Sequence, residues 1–190
     1  MALMQITIPY APRELQLEIH EQLSKHRWAV LSLHRRAGKS VMCINELIKR
    51  ALTNKLWNPR YAYIGPTYKQ TKSIIFDYLK HYAGVIPGIK FNEQELSCTF
   101  PNGAKITLLG SENPDSLRGN YFDGIIADEY AQINPRLFPE IIRPALSDRK
   151  GFCYMVGTPQ GMSNDFYAST STHYRRCLVY KDSKASETKL

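Results

Sequence analysis

Cysteine is scarce in this 190-residue chain: Cys43, Cys98, Cys153 and Cys177 stand far apart, with no C-x-x-C pair among them. That spacing argues against a disulfide framework and a zinc site, and favours reduced thiols in a core. No run approaches the roughly 18 consecutive apolar residues of a membrane-spanning helix. The N-terminus has no basic region followed by an apolar stretch and a small-residue cleavage site, so a soluble, intracellular protein is expected. Low-complexity and collagen-like repeats are absent, and 43% hydrophobic with 22% charged residues is ordinary globular usage. The length fits one domain and leaves no room for two catalytic ones. Acid is in short supply, 17 Asp and Glu against 25 Lys and Arg, and the net charge of +8 favours a polyanionic partner, nucleic acid first.

Periodicity places the elements. Pro9 and Pro12 hold the entry segment extended, and Leu15, Ile19 and Leu23 then recur at helical spacing over 14–26. Trp28 to Leu33 is an apolar strand that stops at HRRAGKS, and Val41, Ile44, Leu47, Ile48 and Leu52 mark the next helix. Tyr61 to Gly65 and a helix over Lys69 to Tyr82 repeat the unit, so a parallel sheet is expected. Pro101-Asn102-Gly103 between Leu96–Phe100 and Ala104–Leu109 predicts an inserted β-hairpin. Tyr121 to Ala127 reads as a buried strand ending in Asp128-Glu129. A helix from Pro135 through Leu146 and a strand over Phe152 to Val156 follow, closed by a turn over 157–161. Leu178 to Tyr180 is one further short strand, and the polar residues after Asp182 read as a linker. The expected organisation is one folded domain over 1–182 and the start of an interdomain linker over 183–190.

The chemistry concentrates at two places. Ala37-Gly38-Lys39-Ser40 matches the second half of the P-loop pattern (Walker A), between a buried strand and a helix, where backbone N–H groups can cradle phosphates. Lys39 would place a cation on the β/γ oxygens, Ser40 a hydroxyl on Mg²⁺, and Gly38 would let the backbone approach closely. The pattern's first glycine is replaced by Leu33, and Arg35 and Arg36 fill the loop. The second place is Asp128-Glu129 (Walker B), with Asp128 toward the metal and Glu129 polarising the attacking water.

LHRRAGKS, IIADEYA and VGTPQG, in that order, resemble the ATPase domain of the large terminase subunit of tailed bacteriophages, from YAPRELQ to about Phe166. The resemblance implies an α/β P-loop NTPase of the ASCE type, with a mostly parallel central sheet flanked by helices and a β-hairpin insertion. It implies an Mg²⁺-dependent ATPase, taking ATP to ADP and phosphate, that translocates double-stranded viral DNA into a capsid in the host cytoplasm. Partners follow in the same way: DNA, a homo-oligomeric ring, pentameric in the family, the portal protein and the small terminase subunit. Gln16 in Y-x-P-x-x-x-Q looks like the adenine-reading glutamine, and Arg35 like the phosphate-contacting arginine of the variant loop. Thr158 resembles the coupling residue, and Arg118 in SLRGNYFDGIIADE matches the stretch that supplies an arginine finger to the neighbouring subunit. The family's carboxyl-terminal nuclease domain has no room here, so no DNA cutting is expected of this chain.

A helicase-like or remodelling ATPase acting on nucleic acid is the alternative, since this pair of motifs is widely shared. A basic module with a degenerate loop is a third class, opposed by Lys39, Ser40, Asp128 and Glu129 all being present. Candidate DNA contacts are Lys105, the Lys69 and Lys72 pair, and the cluster Arg143, Arg149 and Lys150, with nothing in the sequence to choose among them.

Overall fold

The computed structural model describes residues 6–158 and the strands Leu178–Lys181 and Lys184–Glu187. The expected turn beyond Thr158, the GMSNDFY stretch and Cys177 lie outside the described residues. Cys43, Cys98 and Cys153 are buried thiols outside any disulfide.

Helix α1 (Glu14–Lys25) buries Ile19 and Leu23 and is followed by β1 (Trp28–Ser32) and α2 (Lys39–Thr53). Next comes β2 (Arg60–Gly65), then a short helix α3 (Tyr68–Gln70) that runs through a π-turn, Thr71–Ile75, into α4 (Phe76–Ala83). A meander of β3 (Lys90–Asn92), β4 (Ser97–Thr99) and β5 (Lys105–Gly110) precedes β6 (Gly124–Ala127). A π-turn, Phe138–Ile142, opens into α5 (Arg143–Ser147), and β7 (Phe152–Gly157), β8 (Leu178–Lys181) and β9 (Lys184–Glu187) complete the described strands.

All nine described strands share one sheet, in the order β3-β4-β5-β2-β6-β7-β1-β8-β9. The pairs from β5 to β8 are parallel, and only the outer pairs β3-β4, β4-β5 and β8-β9 run antiparallel. Burial explains the parallel centre. In β6 and β7 every residue is buried, as a sheet covered on both faces requires. Successive residues serve opposite faces. Leu31, Tyr63, Ile126 and Val156 pack with α1, α2 and α4, while Val30, Ala62, Ile125 and Met155 pack with Phe138, Ile142 and Leu146.

One expectation is met on this structure and two change. The hairpin turns where it should, with Gly103 at φ 83° and Phe100 N donating to Ala104 O at 2.8 Å. Its second strand, β5, also pairs with β2, so the inserted hairpin extends the sheet. Residues expected to begin a linker instead form β9, whose backbone pairs with β8 in the register Lys181↔Lys184. The helix expected from Pro135 becomes a regular α-helix only at Arg143: Asn134 Oδ1 first caps a turn, accepting from Arg136 N at 3.0 Å, and the π-turn follows.

A buried ionic network fastens α1 and α2 to β7. Glu46 is fully buried, with Oε2 2.6 Å from His20 Nδ1 and Oε1 accepting from Arg50 Nε at 2.8 Å. Arg50 also donates to Tyr154 Oη at 2.8 Å and lies over the Phe152 ring. Burial alone raises the Glu46 pKa, but the hydrogen bonds from His20 and Arg50 outweigh it and hold the carboxyl below its usual value. A carboxyl depressed in the folded state stabilises above its unfolded pKa, about 4.3, and that contribution is lost as pH falls through the folded value. Glu46→Ala should therefore cost about 3 kcal/mol in urea unfolding at neutral pH and flatten the loss of stability below about pH 4.

Candidate functional site

The carboxyl ends of β1, β6 and β7 lie side by side, with β7 between the other two. The chain leaving β1 is pinned at once: Leu33 N donates to Gly157 O at the end of β7, 3.0 Å away. It then turns tightly through Arg36 (φ 66°) and Gly38 (φ 74°) into α2. Gly38 is required twice, by its left-handed backbone and because a Cβ there would lie 2.7 Å from Gln16 Nε2. Helix α2 begins with no side-chain cap and no acid in its first turn. Its leading N–H groups and the positive end of its dipole are thus available to an anion.

The side chains converge on this mouth. Lys39 is nearly buried, and its Nζ donates to Thr158 Oγ1 at 2.8 Å and to His34 O at 3.4 Å. Glu129 Oε1 lies 3.8 Å from the same ammonium. Ser40 Oγ donates to Asp128 Oδ2 at 2.9 Å, and Glu129 N donates to Asp128 Oδ1 at 2.9 Å. Glu129 itself sits in the left-handed region, φ 48°, which turns its carboxyl away from β6 and toward Lys39. Burial, and then the charge of Asp128, raise its pKa, against the pull of Lys39 and Arg35. The Ser40 hydroxyl and Asp128 carboxylate are hard oxygen donors, the set that suits Mg²⁺. A cavity of about 340 Å³ opens beside them, lined by Ser40, Tyr63, Gln70, Asp128, Glu129 and Gln132.

Arg35 and Arg36 are exposed on the loop, the Arg36 carbonyl accepting from Arg13 Nη1 at 3.3 Å, and Ala37 is buried. Gln16 reaches the loop from α1 but is already engaged. Its Nε2 donates to Ala37 O at 3.3 Å and Gly38 O at 3.2 Å, and its Oε1 accepts from Arg13 N at 3.0 Å. Tyr10 Oη donates to the same Oε1 at 3.4 Å. In this arrangement Gln16 is a tether of the phosphate loop, and contact with a base requires it to exchange those bonds. Arg118 is more than half exposed and bonded to Asp115 Oδ1 at 2.8 Å and Glu140 Oε2 at 3.0 Å, away from Lys39 and Glu129.

Sequence reasoning missed Tyr63 on β2, whose hydroxyl donates to Asp128 Oδ2. Burial, then the neighbouring Asp128 charge, push this phenol well above its usual pKa. The available signal was a tyrosine inside an apolar strand, a position where a hydroxyl must find a partner. The candidate DNA contacts differ in how far they are engaged within the protein. Lys105 pairs with Glu95 at 2.6 Å, and Arg149 lies over Tyr121 near Asp123, whereas Lys69, Lys72, Arg143 and Lys150 are exposed.

Residues 30–176 match the family of terminase large subunits, T4-like-virus type, N-terminal region. The terminase large subunits of Thermus virus P23-45 and Thermus phage G20c are 30% and 29% identical, each match covering 83% of this chain and 36% of the relative. The chain therefore spans only 36% of the length of those relatives. The solved ATPase domain of the Thermus phage P74-26 large terminase is similar at 28% identity and a TM-score of 0.73, over 88% of this chain and 72% of that one. The large terminase of another thermophilic bacteriophage, solved in complex with ADP, shares the fold at 15% identity, with a TM-score of 0.70 over 83% of this chain and 41% of that one.

The tether makes a measurable difference. Gln16→Ala should weaken binding of tripolyphosphate as well as of ATP, each by about tenfold, because two hydrogen bonds to the loop backbone are lost. A loss confined to ATP in parallel calorimetric titrations would make Gln16 a reader of the base alone.

Proposed function

Because the chain belongs to the family of T4-like-virus-type terminase large subunits, matching its N-terminal region, we propose that it is the ATP-hydrolysing motor domain that drives double-stranded viral DNA into a capsid. One observation carries the reading. The Lys39 ammonium, the Ser40–Asp128 pair and the Glu129 carboxyl converge at the open end of α2, within reach of one triphosphate.

The loop N–H groups and the α2 N-terminus take the phosphates, and Lys39 leaves Thr158 to place its charge on the β/γ oxygens. Arg35, on the exposed side of the loop, adds a guanidinium to those oxygens. Ser40 and Asp128 would hold Mg²⁺, which when bound neutralises charge on the phosphate oxygens. Glu129 orients a water for in-line attack on the γ-phosphorus and takes its proton as the bond to the β-phosphate oxygen breaks. Its left-handed backbone and partly desolvated carboxyl hold it in front of the phosphates. Thr158, released by Lys39, reports the presence of the γ-phosphate to β7. Gln16 exchanges one of its two loop bonds for the edge of adenine and keeps the loop tethered with the other.

Translocation requires neighbours, and we read the working form as a ring, a pentamer as in the family, on the portal in the host cytoplasm with the small terminase subunit and DNA. Arg118 faces outward and acts in trans in this reading, trading Asp115 and Glu140 for the γ-phosphate of the adjacent protomer.

Two measurements test the assignment. Lys39→Ala should lose nucleotide binding and turnover together. Glu129→Gln should bind ATP with Mg²⁺ as tightly as the wild type but hydrolyse it at least about 10² times more slowly. Wild-type turnover in Glu129→Gln would remove that residue from the water-activating role. For Arg118, the test mixes Arg118→Ala with Lys39→Ala protein in verified assemblies. An arginine finger is worth about 10³ to 10⁵ in rate, so mixed rings should regain ATPase activity that neither variant has alone. Absence of rescue would leave Arg118 as a surface arginine paired within its own protomer.

A further inference from the structure

One polar group in the site has no part in the mechanism above. Tyr63 is 1% exposed in the middle of β2, directly opposite Ile126 of β6 and so one strand away from Asp128. Its ring packs in the apolar layer beneath α2, where phenylalanine would fill the same space. The hydroxyl is therefore the informative atom, because burying it costs free energy unless it is partnered. Its partner is Oδ2 of Asp128, the oxygen that also accepts from Ser40 Oγ. The other oxygen accepts from Glu129 N. The carboxylate is thus gripped from α2, from β2 and from the turn after β6.

These grips differ in what they can do during the reaction. Ser40 must turn a hydroxyl lone pair toward a cation to serve as a ligand, and its donated bond to Asp128 then shifts with that freely rotating side chain. Glu129 N fixes one oxygen but leaves the plane free to swing about it. Tyr63 is anchored through a rigid ring in the sheet and keeps the second oxygen in place while Ser40 reorients. Tyr61 marks the contrast, since it faces the same side of β2 but its hydroxyl is spent on Asn54 and Arg50 near the opposite end of the strand.

We propose that Tyr63 is a positioning residue for the metal-nucleotide complex, holding the Asp128 carboxylate in the orientation that receives Mg²⁺. The proposal rests on the reading of Ser40 and Asp128 as the magnesium-binding pair, and it concerns binding of Mg²⁺ with nucleotide rather than the chemical step. Outer partners of ligating carboxylates typically change metal affinity by about 10 to 100-fold.

The test is Tyr63→Phe, which keeps ring volume and core packing. Affinity for a fluorescent ATP analogue would be measured in EDTA and across a Mg²⁺ titration, alongside the thermal midpoint. The affinity in EDTA should stay within twofold of wild type, while the Mg²⁺ concentration for half-maximal response rises at least about tenfold. In an Asp128→Asn background the same substitution should no longer shift the Mg²⁺ midpoint, because the group it acts through is gone. A lowered thermal midpoint with an unchanged Mg²⁺ midpoint would overturn the proposal and leave the hydroxyl as a core contact only. Equal weakening in EDTA and in Mg²⁺ would also overturn it, assigning Tyr63 to the phosphate pocket as a whole. A wild-type protein that binds the analogue with no response to Mg²⁺ would instead overturn the magnesium reading on which the proposal stands.

Discussion

The parallel register of β1, β7, β6 and β2 is the constraint on which every functional contact depends. Ser32 pairs with Gly157, Met155 with Ala127, and Ala127 with Ile64, so four carboxyl ends reach one rim of the sheet. A one-residue slip would send Asp128 or Tyr63 to the opposite face, because strand side chains alternate with period two. The register is enforced by burial on both faces. Val30, Ala62 and Met155 belong to one apolar layer and Leu31, Tyr63 and Val156 to the other, which leaves the chain no second alignment with the same packing.

Charge at this rim is balanced within the protein. Lys39 rests between the Thr158 hydroxyl, the His34 carbonyl and Glu129, so a nearly buried ammonium is not left without partners. Asp128 is held by donors in the same way. Replacement of the partners of Lys39 by phosphate oxygens would keep the number of groups satisfied around that ammonium roughly constant. The outward face follows the same economy, since Arg118 shares Glu140 with Arg136.

Much of this was legible before any coordinates. The loop LHRRAGKS and the acidic pair after Ile125-Ile126-Ala127 lie where the strands end, because local patterns of apolar residues and glycine determine both. The features that escaped are tertiary. That Gln16 would grip Ala37 and Gly38 depends on how α1 crosses the start of α2, and nothing in the spacing of Y-x-P-x-x-x-Q reports that contact. The role of Tyr63 depends on which strand neighbours β6, and chain order conceals it, since the segment from Tyr68 to Gly110 lies between β2 and its return beside β5. The tail was misread for a different reason. Lys184–Glu187 is too polar to signal a strand by composition, and it forms one through backbone pairing with β8.

The span of the contacts that complete the site carries a consequence for how the protein assembles itself. Gln16 reaches the phosphate loop across 22 residues, whereas the Ser40–Asp128 and Lys39–Thr158 bonds join groups 88 and 119 residues apart. Closing long loops costs more entropy and waits on the intervening sheet. The Gln16 contact lies in a part of the chain that can organise early, whereas the loop, held by Leu33 N on Gly157 O, and the acid and hydroxyl beside it are completed only with the docking of β6 and β7. The rim is thereby among the last parts of the sheet to be completed, after the strands that lie between its ends in sequence have docked.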